Sequence, residues 1–415
     1  MKRIVLATFG SLGDLHPVLA IALELRRRGH AVTIATSAMY REKISGRGFA
    51  FAPLRPEVSV TDGVTVRRIM DPDRGSEFLL RDLMLPAVRD MLDDLRRATA
   101  GADLLVTNEL VYAAPLLAEQ TGLRWVSYAL APLSYFSVHD PCLPPVAFAG
   151  EWMHALPPIA VRGLNRLAKL STYSWWRPVR ALRKELGLAP GDNPVIGGGK
   201  HSPRLDLALF SSVLQPPQPD WPASTVQTGF CFYDETAALP SAVEQFLAEG
   251  EPPIVFTLGS AAVFAAEDFY AKSARTAQQL NRRALLLLGQ NPPPPDLPAS
   301  ILAWDYLPYA LIFPHAAAIV HQGGVGTTAQ ALRAGRPMVI MPFAHDQPDN
   351  AARITRLGAG RTIARHRYTA KTAARELSAL LQDSLASSIA ANLGARIRTE
   401  RGPETAATAL EQTLG

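Results

Sequence analysis

The sequence predicts an α/β protein made of two doubly wound domains, each a parallel sheet covered by helices. Three observations lead there. The chain has 415 residues, which suits two domains better than one. Its beginning reads as strand, glycine turn, helix and strand. A second stretch far downstream, Ile319 to Asn350, repeats strand, glycine turn, helix and strand and ends in a polar loop. Strands that alternate with helical patterns form βαβ units, which cross over right-handed into parallel sheets.

Taken in order, Lys2–Phe9 is a strand and Gly10-Ser11-Leu12-Gly13-Asp14 a turn. His16–Arg28 is a helix, with Pro17 in its first turn and Gly29 as its C-cap. Ala31–Thr36 and Phe49–Leu54 continue the sheet, followed by Leu104–Thr107 and Trp125–Tyr128 around a helix near Ala113–Gln120. The charged helical region Val66–Ala98 is expected to be a solvated face. Residues 130–200 break the pattern with prolines, the Trp175-Trp176 pair and the apolar segment Val161–Leu170. A long irregular insertion of this kind often carries function. Leu205–Phe210 is expected to be the last full strand of a first domain spanning 1–230, with Val226–Phe230 one more short strand. Gln215–Pro222 is a stiff proline-rich connector, and an interdomain linker is placed at 231–252.

The second domain is expected over 253–383. Ile254–Leu258 is a strand ending in a glycine turn, Gly259-Ser260. Asp268–Leu280 is a helix, Ala284–Leu288 a strand and Asn291–Pro298 a loop, and Ala303–Leu307 leads into Ala316–Val320. After that strand, Gly323, Gly324 and Gly326 permit tight geometry and close approach of a ligand. Thr327–Ala334 is a helix with Gly335 as C-cap and Pro337 beyond it. Leu357–Ile363 reads as a strand and Thr369–Leu381 as a helix. Residues 384–415 are expected to form a terminal helix.

Composition narrows the function. The net charge of +5 suits a small anionic ligand. It comes without the dense basic stripe or aromatic platform of a nucleic-acid binder. The two cysteines, Cys142 and Cys231, provide no disulfide framework, so a reducing compartment is expected. Ile4–Phe9 is too short for the core of a signal peptide. The longest apolar tract, Ile301–Val320, carries Asp305, Pro308, Pro314 and His315 and reads as core. The expectation is a cytoplasmic protein, with peripheral contact at the inner membrane face as its one membrane role.

The turn after Val320 aims backbone N–H groups and the positive end of a helix at one point, which makes an anion site suited to phosphate. It is neither a P-loop nor a G-x-G-x-x-G dinucleotide turn. The run His321, Gly323, Gly324, Gly326, Thr327, Thr328, then Ala334-Gly335-Arg336-Pro337, then Asp346-Gln347 resembles the donor-sugar signature of family 1 glycosyltransferases. These are inverting, nucleotide-sugar-dependent enzymes with the GT-B fold. That fold has two Rossmann-like domains facing each other across a cleft, and the resemblance implies that the terminal helix within 384–415 crosses back to the first domain. The looser arrangement L-A-L-F…P-P…D-W-P…T-G-F is similar to that of bacterial rhamnosyltransferases of glycolipid synthesis.

The resemblance implies site residues. Gly10 to Pro17 resembles the family's G-x-x-G-[DH]-x-x-P, which makes Asp14 the candidate general base, with His16 as competitor and helix capping as Asp14's alternative role. His321, Thr327 and Thr328 would bind the diphosphate, with Gly259 and Ser260 completing the cradle. Asp346 and Gln347 would bond sugar hydroxyls. Tyr306 would stack on the nucleobase, with Trp304 as the other platform. Gln330 stands where many relatives carry a ribose-binding glutamate, which favours dTDP over UDP sugars. Phe136, Trp152, Met153, Trp175 and Trp176 could line an acceptor pocket or simply pack. No cofactor is expected beyond the nucleotide-sugar co-substrate. No metal is expected either, since no D-x-D pair is placed to hold one. The partners are then a nucleotide sugar and a hydrophobic small-molecule or lipid acceptor, with no nucleic acid. A nucleotide-sugar 2-epimerase, a non-catalytic nucleotide-sugar-binding partner of a transferase and a NAD-dependent oxidoreductase are the competing readings.

Overall fold

The computed structural model describes residues 1–58, 62–144, 150–235 and 238–415. Parts of the predicted insertion (145–149) and of the predicted linker (236–237) therefore lie outside the described residues.

The first sheet contains β1 (Arg3–Ala7), β2 (Ala31–Thr36), β3 (Ala50–Pro53), β4 (Leu104–Asn108), β5 (Arg124–Ala129), β6 (Asp206–Ala208) and β7 (Thr225–Gln227) in the order β3-β2-β1-β4-β5-β6-β7. The second contains β8 (Ile254–Thr257), β9 (Ala284–Leu287), β10 (Ile301–Trp304), β11 (Ala318–His321), β12 (Met338–Ile340) and β13 (Gly360–Thr362) in the order β10-β9-β8-β11-β12-β13. Every pairing is parallel, with Ile4 beside both Val32 and Leu104, and Ile319 beside both Val255 and Met338. The central strands are apolar on both faces because helices cover both. Each sheet reverses direction of growth at one place, between β1 and β4 and between β8 and β11. Ligands of open α/β sheets bind at the carboxyl ends of such strands.

Several elements differ from the sequence reading. The first helix begins at Leu12, with Ser11 as N-cap, so Pro17 lies inside it. Pro17 has no N–H to give the Gly13 carbonyl. The charged region is no uniform solvated face. Helix Gly63–Ile69 inserts Val66, with Met70 just after it, into the second domain's core beside Val263 and Phe269. Helix Val88–Ala98 buries Met91, Leu92 and Leu95 in the first. Its buried Asp94 is held by Arg55 at 2.9 Å. The linker contains a helix, Ser241–Ala248, whose Val243 packs among second-domain residues. Leu357 to Ala359 end the helix Gln347–Arg356, which leaves only Gly360–Thr362 as strand.

The terminal segment is two helices, and only the second crosses back. Ser384–Ile397 stays on the second domain, where a side chain at Gly394 would come within 2.7 Å of the Gly335 Cα. Gly402–Gln412 returns to the first domain. There Ala406, Ala407 and Leu410 join the core, and Glu411 bonds Arg28 at 2.7 Å and His30 at 3.0 Å. Among the described residues no helix is long and apolar enough to cross a membrane.

A buried ion network ties the domains together. Arg353, fully buried on the second domain, bonds Asp349 at 2.8 Å and Asp140 of the first domain at 2.5 Å. Asp140 also bonds Arg356 at 3.0 Å, and the Leu143 N–H donates to Asp349 at 2.9 Å. Removing Arg353 leaves the buried Asp349 without its cation, while Asp140 keeps Arg356. Arg353→Met should cost about 3 kcal/mol, read as a lower denaturation midpoint; an unchanged midpoint would mean that water already screens the network.

Candidate active site

One cavity of about 1190 Å³ runs between the carboxyl ends of the two sheets. That exceeds the roughly 300–1,000 Å³ typical of a single small-ligand pocket, so it has room for two substrates. Two helices aim their N-termini into it, Leu12–Arg27 from the first domain and Val325–Ala334 from the second. They approach so closely that a Cβ on Gly326 would lie 3.4 Å from the Gly13 Cα.

Asp14 lies in the first turn of the first-domain helix and faces the cavity. Its carboxylate accepts the Ser11 N–H at 2.8 Å, and the Ser11 hydroxyl accepts the Gly13 N–H at 3.2 Å. Asp14 therefore does cap the helix, as one half of a capping box, and the cap fixes its carboxylate at the cavity wall. Gly10, at φ 138°, makes room: a Cβ there would sit 2.1 Å from the carboxylate. Burial pushes the Asp14 carboxyl up to about 7 against the pull of the Ser11 N–H, and the charge of Asp346 adds to the rise. His16 also lines the cavity. Its ring lies 5.1 Å from that of Tyr233, and its Nε2 is 3.9 Å from Glu235. Burial, with Lys43 nearby, pulls His16 down to about 4.

On the second domain, Gly259, Ser260, Tyr306, Gly324, Gly326, Thr327, Gln330, Asp346 and Gln347 all border the cavity. Asp346 accepts the Val325 N–H at 3.1 Å and the Asn350 amide at 2.7 Å, and burial raises its carboxyl to about 6. The Gln347 carbonyl oxygen is used internally by the Phe343 N–H at 2.8 Å. Tyr306 is 48% exposed, and its hydroxyl donates to Glu235 of the interdomain linker at 3.1 Å. Trp304 ends β10 and packs against the core cluster around Phe313.

His321 is placed elsewhere. It is 0% exposed, its Nδ1 accepts the Gly323 N–H at 3.0 Å, and its Nε2 lies 3.4 Å from the Met338 sulfur. Burial lowers its pKa to about 3. The ring faces the core because consecutive strand residues point to opposite faces. The next residue, Gln322, reaches the cavity instead. One end of its amide lies 3.4 Å from the Thr327 hydroxyl and the other end has no partner; either end can carry the N–H2. Gly259, at φ +65°, leaves room for that amide, since a Cβ would fall 2.3 Å from it. Thr328 is likewise fully buried, and Gly323 packs on Ile340, so both shape the turn from behind.

The first-domain half of the cavity is mostly apolar. Phe136, Met153 and Trp175 line it. Trp152 is 52% exposed and Trp176 is buried in the core beside Val179, so neither lies on its wall. One charged pair interrupts the apolar wall, with Lys200 bonding Glu109 at 2.7 Å above the Phe136 ring. Burial works against the Glu109 carboxylate, but Lys200 and the Ser134 hydroxyl hold its pKa below the ordinary value. Gln322, Glu109 and Lys200 were not singled out from the sequence. Gln322 could have been found by the alternation of strand faces. Glu109 and Lys200 lie 91 residues apart, and nothing local announces them.

Residues 4–121 match the glycosyltransferase family 28 N-terminal domain, and residues 286–413 match the C-terminal domain of erythromycin biosynthesis protein CIII-like proteins. The O-mycaminosyltylonolide 6-deoxyallosyltransferase of Streptomyces fradiae is 33% identical over 422 aligned residues, which cover 99% of this chain and 97% of that protein. The chain belongs to the GT-B glycosyltransferases of family 1. Solved GT-B structures superpose along its whole length. The glycosyltransferase of kitacinnamycin does so with a TM-score of 0.76 at 23% identity, covering 100% of this chain and 99% of that one. The spinosyn rhamnosyltransferase SpnG complexed with thymidine diphosphate gives 0.70 at 17%, covering 99% and 100%. This GT-B chain is a hexosyltransferase of the natural-product type.

The position of Asp14 predicts a pH effect on stability. Its folded pKa, about 7, lies above the ordinary aspartate value of 3.8, so the folded state holds the proton more tightly than the unfolded state. Its contribution to stability is greatest below the unfolded value and falls as pH rises towards 7. Asp14→Asn cannot ionise. It should be more stable than the parent at about pH 8, and the difference should shrink towards about pH 4. A difference that does not vary with pH would place the carboxylate in water.

Proposed function

We propose that this enzyme transfers a hexose from a dTDP- or UDP-sugar to a hydroxyl of a hydrophobic natural product or lipid, by a single displacement that inverts the anomeric centre. The observation that carries the reading is the meeting of the two helix N-termini. It sets Asp14 of one domain opposite the glycine turn of the other, inside one cavity with room for both substrates.

In the proposed reaction Asp14 takes the proton of the acceptor hydroxyl as its oxygen attacks the anomeric carbon. The bond from that carbon to the diphosphate oxygen breaks, and the electron pair leaves with the diphosphate. A carboxylate near pH 7 is matched to this task, since the best catalytic base has a pKa near the operating pH. His16, lowered to about 4, is the weaker base of the two, which favours Asp14. The leaving diphosphate would meet the N–H groups at the start of the Val325–Ala334 helix, the Thr327 hydroxyl and the Gln322 amide. A helix N-terminus already favours an anion there, so the proposed reaction uses no metal.

Asp346 and Gln347 would hold the sugar hydroxyls, and Tyr306 would meet the nucleobase. Gln330 would face the ribose, where an amide in place of a carboxylate loses less with a 2′-deoxy donor. The thymidine diphosphate bound by SpnG is in keeping with that preference. The Streptomyces fradiae relative, named for O-mycaminosyltylonolide, is in keeping with a bulky apolar acceptor against Phe136, Met153 and Trp175.

Calorimetry with UDP and dTDP in the presence of chelator should show binding of both, with dTDP the tighter. Gln322→Ala should weaken dTDP about tenfold, the size of one hydrogen bond to a charged group. Asp14→Asn should keep nucleotide affinity and lose transfer. Binding of neither nucleotide would refute the donor assignment, and substantial transfer by Asp14→Asn would return the base role to His16.

A further inference from the structure

The helix Pro158–Ser171 in the first domain's insertion has an unusual outer face. Its inner side carries the buried Val161, and Leu164 and Asn165 on that side border the cavity. Its outer side shows Ile159, Leu167 and Leu170 to solvent at 75%, 63% and 69% exposure. At 100° per residue these three fall on one stripe. Arg162, Arg166 and Lys169, at spacings of four and three, form a basic row along its edge. No acidic residue occurs between Pro157 and Lys184. Lys169 bonds Asp192 at 2.5 Å, whereas among the described residues Arg162 and Arg166 have no ion-pair partner.

Large apolar side chains held in water beside a row of bases make the pattern of a helix that lies in a lipid interface. Here the pattern continues into the cavity, because Leu167 is both exposed and part of the cavity wall. We propose that this face docks on an anionic lipid surface and that the apolar acceptor enters along Leu167 from the bilayer. The acceptor route rests on the chamber assignment made under Proposed function; the docking surface stands on the helix alone. Charge decides against a second copy as occupant. An antiparallel two-fold pairing of this face would set one basic row against another.

Co-sedimentation of the full chain with vesicles tests the proposal. Vesicles of phosphatidylcholine containing phosphatidylglycerol should carry the protein down, and vesicles of phosphatidylcholine alone should carry far less. Arg162→Gln with Arg166→Gln should weaken the interaction at least about tenfold, at roughly 1 kcal/mol per basic residue near the surface. Ile159→Ser with Leu170→Ser should weaken it comparably. All four positions lie outside the catalytic and nucleotide-binding groups, so dTDP affinity should not change in either variant. Loss of vesicle binding with dTDP affinity kept isolates the surface, whereas a parent chain that binds vesicles but no nucleotide would strike the functional reading alone. No sedimentation with anionic vesicles, or equal sedimentation of parent and variants, overturns the proposal. So does a concentration-dependent dimer, seen by analytical ultracentrifugation, that Leu170→Ser abolishes without any vesicle binding.

Discussion

The contact between Gly13 and Gly326 is the constraint on which the rest of this structure depends. Two helix N-termini repel each other as dipoles of like sign, so their meeting needs compensation. Carboxylates supply it. Asp14 sits in the first turn of one helix and Asp346 accepts the first N–H of the other. A Cβ on Gly326 would just fit, 3.4 Å from the Gly13 Cα, so a larger side chain there would have to enter the space between the helices. Further out, the same approach is held by the buried Arg353 with Asp140 and Asp349, and by the terminal helix that returns to pack on the first. These elements come from distant parts of the chain, and they act on one geometric quantity, the distance between the two turns.

That geometry also sets the chemistry available. Burial lifts both carboxylates well above the ordinary aspartate range, to about 7 and about 6, and the Asp346 charge adds to the rise at Asp14. Burial of a histidine has the opposite sign. His16, His321 and His345 are all pulled down by it. In this site a carboxylate is therefore a better proton acceptor near neutral pH than an imidazole, the reverse of their order in water. Among the described residues that line the cavity the one lysine or arginine is Lys200, which Glu109 pairs, so an anion brought to the helix ends would rely on backbone N–H groups, the Gln322 amide and the helix dipoles.

Much of this was legible in the sequence. Parallel strands buried on both faces, glycine turns at their carboxyl ends and the C-cap Gly335 are local features, and local features survive in a one-dimensional reading. Asp14 was legible because its turn fixes it. What failed was orientation. His321 and Gln322 are neighbours, and only the facing of the strand end decides which one meets the cavity; of Trp175 and Trp176, in the turn before the helix Arg177–Glu185, only the first does. What was invisible was distance. The Lys200 pair with Glu109, the entry of Val66 and Met70 into the other domain's core and the Asp140 bridge to Arg353 join residues that no local pattern connects. The charged stretch after Gly63 illustrates the trap, since its composition suggests solvent while its few apolar residues span the two domains.

The central claim is that the fold turns Asp14 into a base suited to neutral pH. Its most direct test is a carbon-13 titration of the aspartate carboxyl carbons in the full-length protein, with the Asp14 signal assigned by its disappearance in Asp14→Asn. A midpoint near about 7 is predicted. A midpoint near 3.8, the ordinary aspartate value, would mean that the cavity does not desolvate the carboxylate, and the account of this site would fall.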